Sequence, residues 1–491
     1  MGSSVNGAKQ SKTLLSAAVF SLVASGLVVT PISMASASAA EPSRTILREF
    51  KPTPRPTLDS IKRQAAGRGI SLMEAIKEYA FAHADTSRRV DGEKLDGQVI
   101  DPDAVIDDLT YVELVDLERI AQSSHVSFEE AIDRHGSHNA RRKAIDAIAA
   151  GFPNDFAGSS VIDDGRGVRV GFKAAAPRQA TDLLMNLPIK VEVVSGRGYS
   201  EIEMHEALEK AAWSLSARTE LGGHKGSVDT EAGRITFNVV TKKGRSAAVD
   251  AGKLQEETRA AVSANPAIQI DVTTVTDLGT AAAAADDKYL RGGGKLSGNG
   301  ISCTTAFNVK HTDGSYGSIT ARHCADPGPY LTYRNYPNQG GNDLSTTISR
   351  MHRAANYDLA RFTTGGFTAT RTFYYAQDLP RYADGIAGSV SLNDEVCGMG
   401  TTSGWIGCGR VTKTATSWDD GSGRPALGIV EQEGAPVRGG DSGGVFYNSA
   451  ILYGVTNYTL TRNNVIVGGG FTRATVLNTG AVGSGWTVFT R

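Results

Sequence analysis

The run Gly439-Gly440-Asp441-Ser442-Gly443-Gly444 places a serine between glycines. A serine hydroxyl is a weak nucleophile at neutral pH until a base takes its proton and donors receive the charge that develops on the attacked carbonyl oxygen. Flanking glycines let the backbone bend tightly, and the amides of Gly440 and Ser442 are the expected donors. The same run satisfies G-x-S-x-G, the nucleophile elbow of α/β-hydrolases, but that fold needs its histidine after the serine. The nine histidines stand at 83, 125, 135, 138, 205, 224, 311, 323 and 352, all before Ser442. The order Ser, Asp, His is therefore excluded.

A base must come from His311, His323 or His352 if it lies in the same segment as the serine. His323 ends the apolar, β-prone stretch Ile319-Thr320-Ala321-Arg322-His323-Cys324, beside a cysteine that a disulfide would fix. His311 stands in the polar turn His311-Thr312-Asp313-Gly314, and His352 follows Arg350 and Met351, so both read as solvated. The third member should be a buried carboxylate that holds the imidazole tautomer. Asp358 fits, because Asn356-Tyr357-Asp358-Leu359-Ala360-Arg361-Phe362 leads directly into an apolar strand. Asp326 and Asp343 sit in turn-like surroundings.

The elements that must position these groups divide the chain. At 491 residues it exceeds one ordinary hydrophobic core, so several packed units are expected. Residues 1–39 read as a secretory signal peptide rather than a stable membrane anchor: Lys9 and Lys12, an apolar run from Leu14 to about Val29, then Ala35-Ser36-Ala37-Ser38-Ala39. Residues 40–290 form an acidic second unit. From Glu41 to Leu290 there are 32 basic against 39 acidic residues, a balance of −7, and from Arg291 onward 17 against 13, a balance of +4. Opposite balances favour association of the two. Nothing in the charge pattern points to nucleic acid.

The acidic unit reads as α+β. Residues 58–81 and 113–134 have helical spacing, with capping patterns at Ser71/Glu74 and Ser127/Glu130 that look like a weak internal duplication. Strands are expected at Val168–Phe172 and Ile189–Val194, a helix at Ile202–Leu215, then strands at Arg234–Thr241 and Ile268–Val275. The alanine run Thr280–Ala285 and the stretch from Asp286 to Arg291 with its following glycines read as a flexible processing site. Residues 291–491 change to glycine, serine, threonine and asparagine, with short β-prone runs at Ala306–Val309, Leu359–Phe362, Trp405–Val411, Val445–Tyr447, Leu452–Thr456 and Val465–Val467. Such spacing implies a sandwich or barrel.

All four cysteines, Cys303, Cys324, Cys397 and Cys408, lie in this last unit. They allow three pairings. Pairing Cys303 with Cys324 and Cys397 with Cys408 closes two short local loops. The chain has no CxxC, and no metal or other cofactor is expected.

Taken in order, Thr320-Ala321-Arg322-His323-Cys324, Tyr357-Asp358-Leu359-Ala360, Val396-Cys397 through Gly407-Cys408-Gly409, Gly440-Asp441-Ser442-Gly443-Gly444 and Gly468-Gly469-Gly470-Phe471 resemble the chymotrypsin-fold serine proteases. Within them, the resemblance is to the bacterial secreted group that includes streptogrisins and α-lytic protease. It runs from about Gly292 to the C-terminus. It implies a mainly β fold of two antiparallel six-stranded β-barrels, about 300–380 and 381–491, with His323 and Asp358 in the first and Ser442 in the second. It also supports one disulfide per barrel. Residues 40–290 resemble, more weakly, the propeptides of that group, which assist folding and inhibit until removed. The implied protein is a secreted endopeptidase, monomeric when mature, acting on protein or peptide substrates. Four departures stand out: Arg322 where a small residue is usual, no cysteine from Ala435 to Gly439 for the bridge that many relatives have beside the nucleophile, Val445 for proline, and Asn457 for a serine that contacts the triad. Arg322 and Asn457 prompt the alternative of a catalytically impaired homologue that binds peptides or surfaces.

Overall fold

The computed structural model describes residues 42–84, 104–241, 250–262, 265–274, 288–335, 345–376, 379–419, 424–463 and 465–491. The expected signal peptide, the alanine run and Asp343 lie outside them. Residues Glu41–Arg491 form one compact unit. No described helix is long and apolar enough to cross a membrane.

The helical stretches expected at 58–81 and 113–134 are each a pair of helices. Pro56–Arg68 ends at Gly69 with φ 67°, and Leu72–Ala82 starts afresh at Ser71, whose side chain accepts from the Glu74 amide at 3.1 Å. Tyr111–Ser124 likewise ends at His125, φ 55°, before Ser127 caps Phe128–His135. The capping serines thus mark helix starts inside the longer amphipathic stretches, because a left-handed residue breaks the backbone ladder just before each. A further helix, His138–Gly151, precedes a four-stranded sheet ordered Ser43–Arg48, Lys190–Ser195, Gly167–Phe172, Phe156–Ile162. Its core is built from Ile148, Phe156, Val170, Phe172, Leu184 and Val193.

The helix Glu201–Ser216 carries a full capping box, Ser200 with Glu203. It covers the strands Leu221–Asp229, Arg234–Thr241 and Gln269–Thr274 with Met204, Leu208 and Leu215 against Phe237, Val239 and Ile270, a core that Ala415 and Leu427 join from the C-terminal segment. Strand Leu221–Asp229 also pairs antiparallel with Gly404–Asp419, from Thr416 opposite Ser227 to Asp419 opposite His224. One sheet therefore runs through both segments. Gly226 permits this approach, since a Cβ there would lie 2.3 Å from Phe237 and 2.7 Å from the Ser417 hydroxyl.

The C-terminal segment is almost wholly β. One sheet of eight strands runs in the order Ile301–Thr304, Lys295–Gly298, Tyr330–Arg334, Ser345–Arg353, Ala360–Phe362, Tyr316–Thr320, Asn308–His311, Trp486–Val488. In the other, Glu395–Gly400 pairs with Val445–Asn448 and with Gly404–Asp419, while Ile451–Arg462, Val465–Arg473 and Ala426–Glu433 link the two. The sheets meet over Val309, Ile319, Leu359, Phe373, Met399, Val445, Val455 and Leu477.

The junction differs from the expected flexible site. Tyr289–Gly292 is a strand parallel to Thr368–Ala376, with Leu290 and Arg291 fully buried. A Cβ on Gly292 would meet Ala306 O at 2.0 Å. Hydrophobic packing of Leu290 and close backbone contact override the glycine-rich composition, so cleavage after Tyr289, Leu290 or Arg291 would first require this strand to leave its sheet.

Candidate active site

His323 and Asp358 are positioned by neighbouring strands of the eight-stranded sheet. Thr320 pairs with Ala360, and the short helix Arg322–Ala325 turns the chain immediately afterwards. The Cys303–Cys324 disulfide ties that turn to strand Ile301–Thr304, and Cys397–Cys408 joins adjacent strands of the other sheet. One ligand atom each of Cys303, His323 and Cys324 lie within 4.8 Å of one another, but both sulfurs are spent in the bridge.

The Asp358 carboxylate is buried, 1% exposed, and receives three donors. Its Oδ1 accepts the His323 amide at 2.9 Å, and its Oδ2 lies 2.7 Å from His323 Nδ1 and accepts Asn457 Nδ2 at 3.0 Å. Burial alone would raise the Asp358 pKa, but the facing imidazole, the two hydrogen bonds from His323 and the nearby Arg322 charge hold it below the ordinary carboxylate value. For His323, burial acts to lower the pKa and the Asp358 charge and hydrogen bond outweigh it, so the ring stays protonated to higher pH than a free imidazole. A neutral ring is the working base, so activity should rise with pH through a midpoint above the ordinary value of about 6.5. A kcat/KM profile against pH checks this; a profile flat from pH 5 to 8 removes His323 from the base role.

Ser442 is 7% exposed, and its hydroxyl donates to Asn457 O at 3.3 Å rather than to the imidazole. Asn457 therefore touches two of the candidate residues, Asp358 through its amide and Ser442 through its carbonyl, and its own Oδ1 accepts from Thr472 Oγ1 at 2.9 Å. Its departure from serine thus carries a defined contact. Arg322 turns its guanidinium to the carbonyls of Ala354 and Ala355, at 3.2 and 2.9 Å.

Around the serine, Gly440 has φ 94° and Gly443 φ 82°. A side chain on Gly443 would strike Thr320 Oγ1 at 2.0 Å and Thr304 O at 2.2 Å. The amides of Asp441, Gly443 and Gly444 go to Arg438 O, Thr456 O and Asp441 O, whereas those of Gly440 and Ser442 have no acceptor among the described residues. Sequence reasoning missed what holds this loop. Asp441, fully buried, accepts the amides of Thr402, Ser403 and Arg438 and the Ser403 hydroxyl at 2.6–3.0 Å. The acidic residue inside the glycine run was the available signal, since a buried carboxylate must find donors. Asp326 instead pairs with Arg353 at the surface, and His311 lies against Asp313 and Trp486.

No protein-family model matches the chain. Over 170 residues, 34% of this chain and 89% of the relative, it is 28% identical to Serine protease 2 of Streptomyces fradiae. Among solved structures, it is similar to a glutamic-acid-specific serine protease at 20% identity and a TM-score of 0.34, and to a Cellulomonas bogoriensis chymotrypsin at 21% and 0.32. Each of these comparisons covers 41% of this chain and 100% of the other. The sequence match to the Streptomyces protease covers nearly all of that protein, and it accompanies a histidine on an aspartate and an asparagine that touches both that aspartate and the GDSGG serine; the chain is a serine endopeptidase, similar over this stretch to a bacterial serine protease.

Proposed function

We propose that this endopeptidase works through Ser442, His323 and Asp358 and is exported as a precursor. In the proposed cycle, Ser442 Oγ bonds to the scissile carbonyl carbon while its proton passes to His323 Nε2. The amides of Gly440 and Ser442 receive the oxyanion. The carbon–nitrogen bond then breaks as His323 returns the proton to the leaving amine, and water hydrolyses the acyl-enzyme by the same route. The observation that carries this reading is the chain of contacts from His323 Nδ1 to Asp358, from Asp358 to Asn457, and from Asn457 to the Ser442 hydroxyl. A short rotation of that hydroxyl away from Asn457 O is the step the cycle needs first.

Residues 40–290 take the role of a folding assistant and inhibitor, following the proposed signal peptide 1–39. The sheet shared across the two segments supports a template role, because a fold of non-local β pairings folds slowly. The pairings of Glu395–Gly400 with both Val445–Asn448 and Gly404–Asp419 support a closed six-strand arrangement in the second half of residues 291–491. Protein or peptide is the substrate, outside the cell.

An active-site phosphonate tests the reading. It is expected to label the processed protein once, at Ser442, with loss of casein hydrolysis. Ser442→Ala should take no label and lose activity by about 10⁶-fold in kcat. Unlabelled wild-type protein would favour a peptide-binding homologue instead.

A further inference from the structure

Lys225 of the N-terminal segment packs against three side chains of the catalytic segment that together suit a cation. It stands opposite Trp418 in the shared sheet. Its ammonium contacts Glu431 Oε1 and lies 4.9 Å from the centroid of the Tyr458 ring. Tyr458 donates its hydroxyl to the same carboxylate oxygen at 2.7 Å, and the Trp418 ring leans on Tyr458 at 5.8 Å. Side-chain exposure is 15% for Lys225 and 8% for Glu431. Among the described residues, Lys225 is the one cation that pairs with Glu431. A carboxylate this deeply buried is costly unless a cation meets it, and the aromatic face adds attraction for the same charge. When the N-terminal segment leaves, the receptor remains on the catalytic segment without its occupant.

The place of this receptor is informative. Tyr458 directly follows Asn457, the residue in contact with both Ser442 and Asp358. Strand Ile451–Arg462 pairs along one edge with Val465–Arg473. On its other edge, pairing with Val445–Asn448 ends at Val455, and the Gly443 and Gly444 contacts end at Thr456. From Asn457 to Leu460 that edge has no strand partner among the described residues. An extended peptide can add there by main-chain hydrogen bonds, with alternate side chains falling to each face. The stretch that passes Tyr458 would then precede the carbonyl held at Ser442.

We infer that Trp418, Glu431 and Tyr458 form a specificity subsite for a lysine or arginine side chain on the acyl side of the scissile bond, and that Lys225 fills this subsite while the N-terminal segment is in place. The inference rests on Ser442 being the nucleophile. It ties the inhibition proposed for that segment to substrate choice: one receptor serves the segment first and the substrate afterwards.

Fluorogenic peptides carrying lysine or norleucine at the second, third or fourth position before the scissile bond test it on the protein freed of its N-terminal segment. At one of these positions lysine is expected to raise kcat/KM about tenfold over norleucine. In Glu431→Gln, with phosphonate labelling of Ser442 confirming a folded site, the ratio should fall to about one, and in Tyr458→Phe to an intermediate value. A wild-type ratio near one at all three positions, or a ratio that survives Glu431→Gln, overturns the subsite. If no peptide is cleaved and Ser442 takes no label, the nucleophile reading fails by itself. Equilibrium binding of the same paired peptides then decides the subsite, with equal affinities counting against it.

Discussion

Asp358→Asn should lower kcat by about 10⁴-fold while leaving KM and the fold nearly unchanged. All three contacts on this carboxylate come from donors: the His323 amide, the His323 ring at Nδ1 and the Asn457 side-chain amide. An asparagine of the same shape has one oxygen and one NH₂. The oxygen can serve the backbone amide or the Oδ2 side, and the NH₂ must then face a donor. Turned toward the ring, the NH₂ favours the tautomer with its lone pair on Nδ1 and its proton on Nε2. That ring cannot accept a proton from Ser442. Turned the other way, it faces the His323 amide, and the helix Arg322–Ala325 loses the contact that seats it. The measurement is kcat and KM on an activated ester with near-ultraviolet circular dichroism as the folding control. A loss under tenfold would remove Asp358 from the orienting role.

The parts of the molecule legible in sequence were those set by local rules. Arg234–Thr241 was expected as a strand and is one over that same range, because Ile235, Phe237 and Val239 alternate inward. Strand Leu221–Asp229 was missed: its three glycines and few apolar residues give no period, and its place is fixed by Phe237, Ser417 and the pairing with Gly404–Asp419. The site divides in the same way. Ser442, His323 and Asp358 announce themselves through residue type and immediate neighbours. The Thr402–Ser403 turn that holds Asp441, and the Glu431–Tyr458–Trp418 receptor, join residues brought together only by the sheet. The burial of Leu290–Gly292 is hidden for the same reason, since three glycines in a row read as flexible until the strand beside them is known.

Acid should loosen the N-terminal segment, between about pH 6.5 and 5. That segment is held by buried pairs, Asp116 with Arg381 and Arg141 with Asp394, and by His138, which lies 2.8 Å from the Tyr453 hydroxyl. Arg141 donates to His138 Nδ1 at 3.0 Å, so that nitrogen carries no proton. Burial, with Arg141, Arg142 and His135 close by, keeps His138 neutral far below the ordinary range. Burial likewise pushes His224 down to about 4, against the pull of Asp419, and His135 down to about 3, with Arg410 and Arg141 adding to the effect.

Each of these rings binds a proton once exposed and none while docked, so stability falls with falling pH by about 1.4 kcal/mol per pH unit per ring below the ordinary value. Glu395 works in the opposite sense: burial lifts it to about 7, so it is protonated in the docked state and ionised when exposed. Between its exposed and docked values it cancels one ring. Asp394 and Glu201, raised by burial, act the same way from lower ordinary values. His205, pushed down to about 3 by burial and Arg473, joins the other rings; four rings against Glu395, Asp394 and Glu201 leave a net uptake of about one proton, or about 1.4 kcal/mol per pH unit. Over the stated window that is about 2 kcal/mol, a sizeable part of the stability of an ordinary domain. The denaturant midpoint of the full Ser442→Ala chain, followed by tryptophan fluorescence from pH 7 to 5, should fall steadily, and His138→Gln should flatten that fall. A midpoint that does not move would refute the coupling. Since the same acidity protonates His323, a segment loosened by acid would uncover an enzyme that works only after the pH rises again.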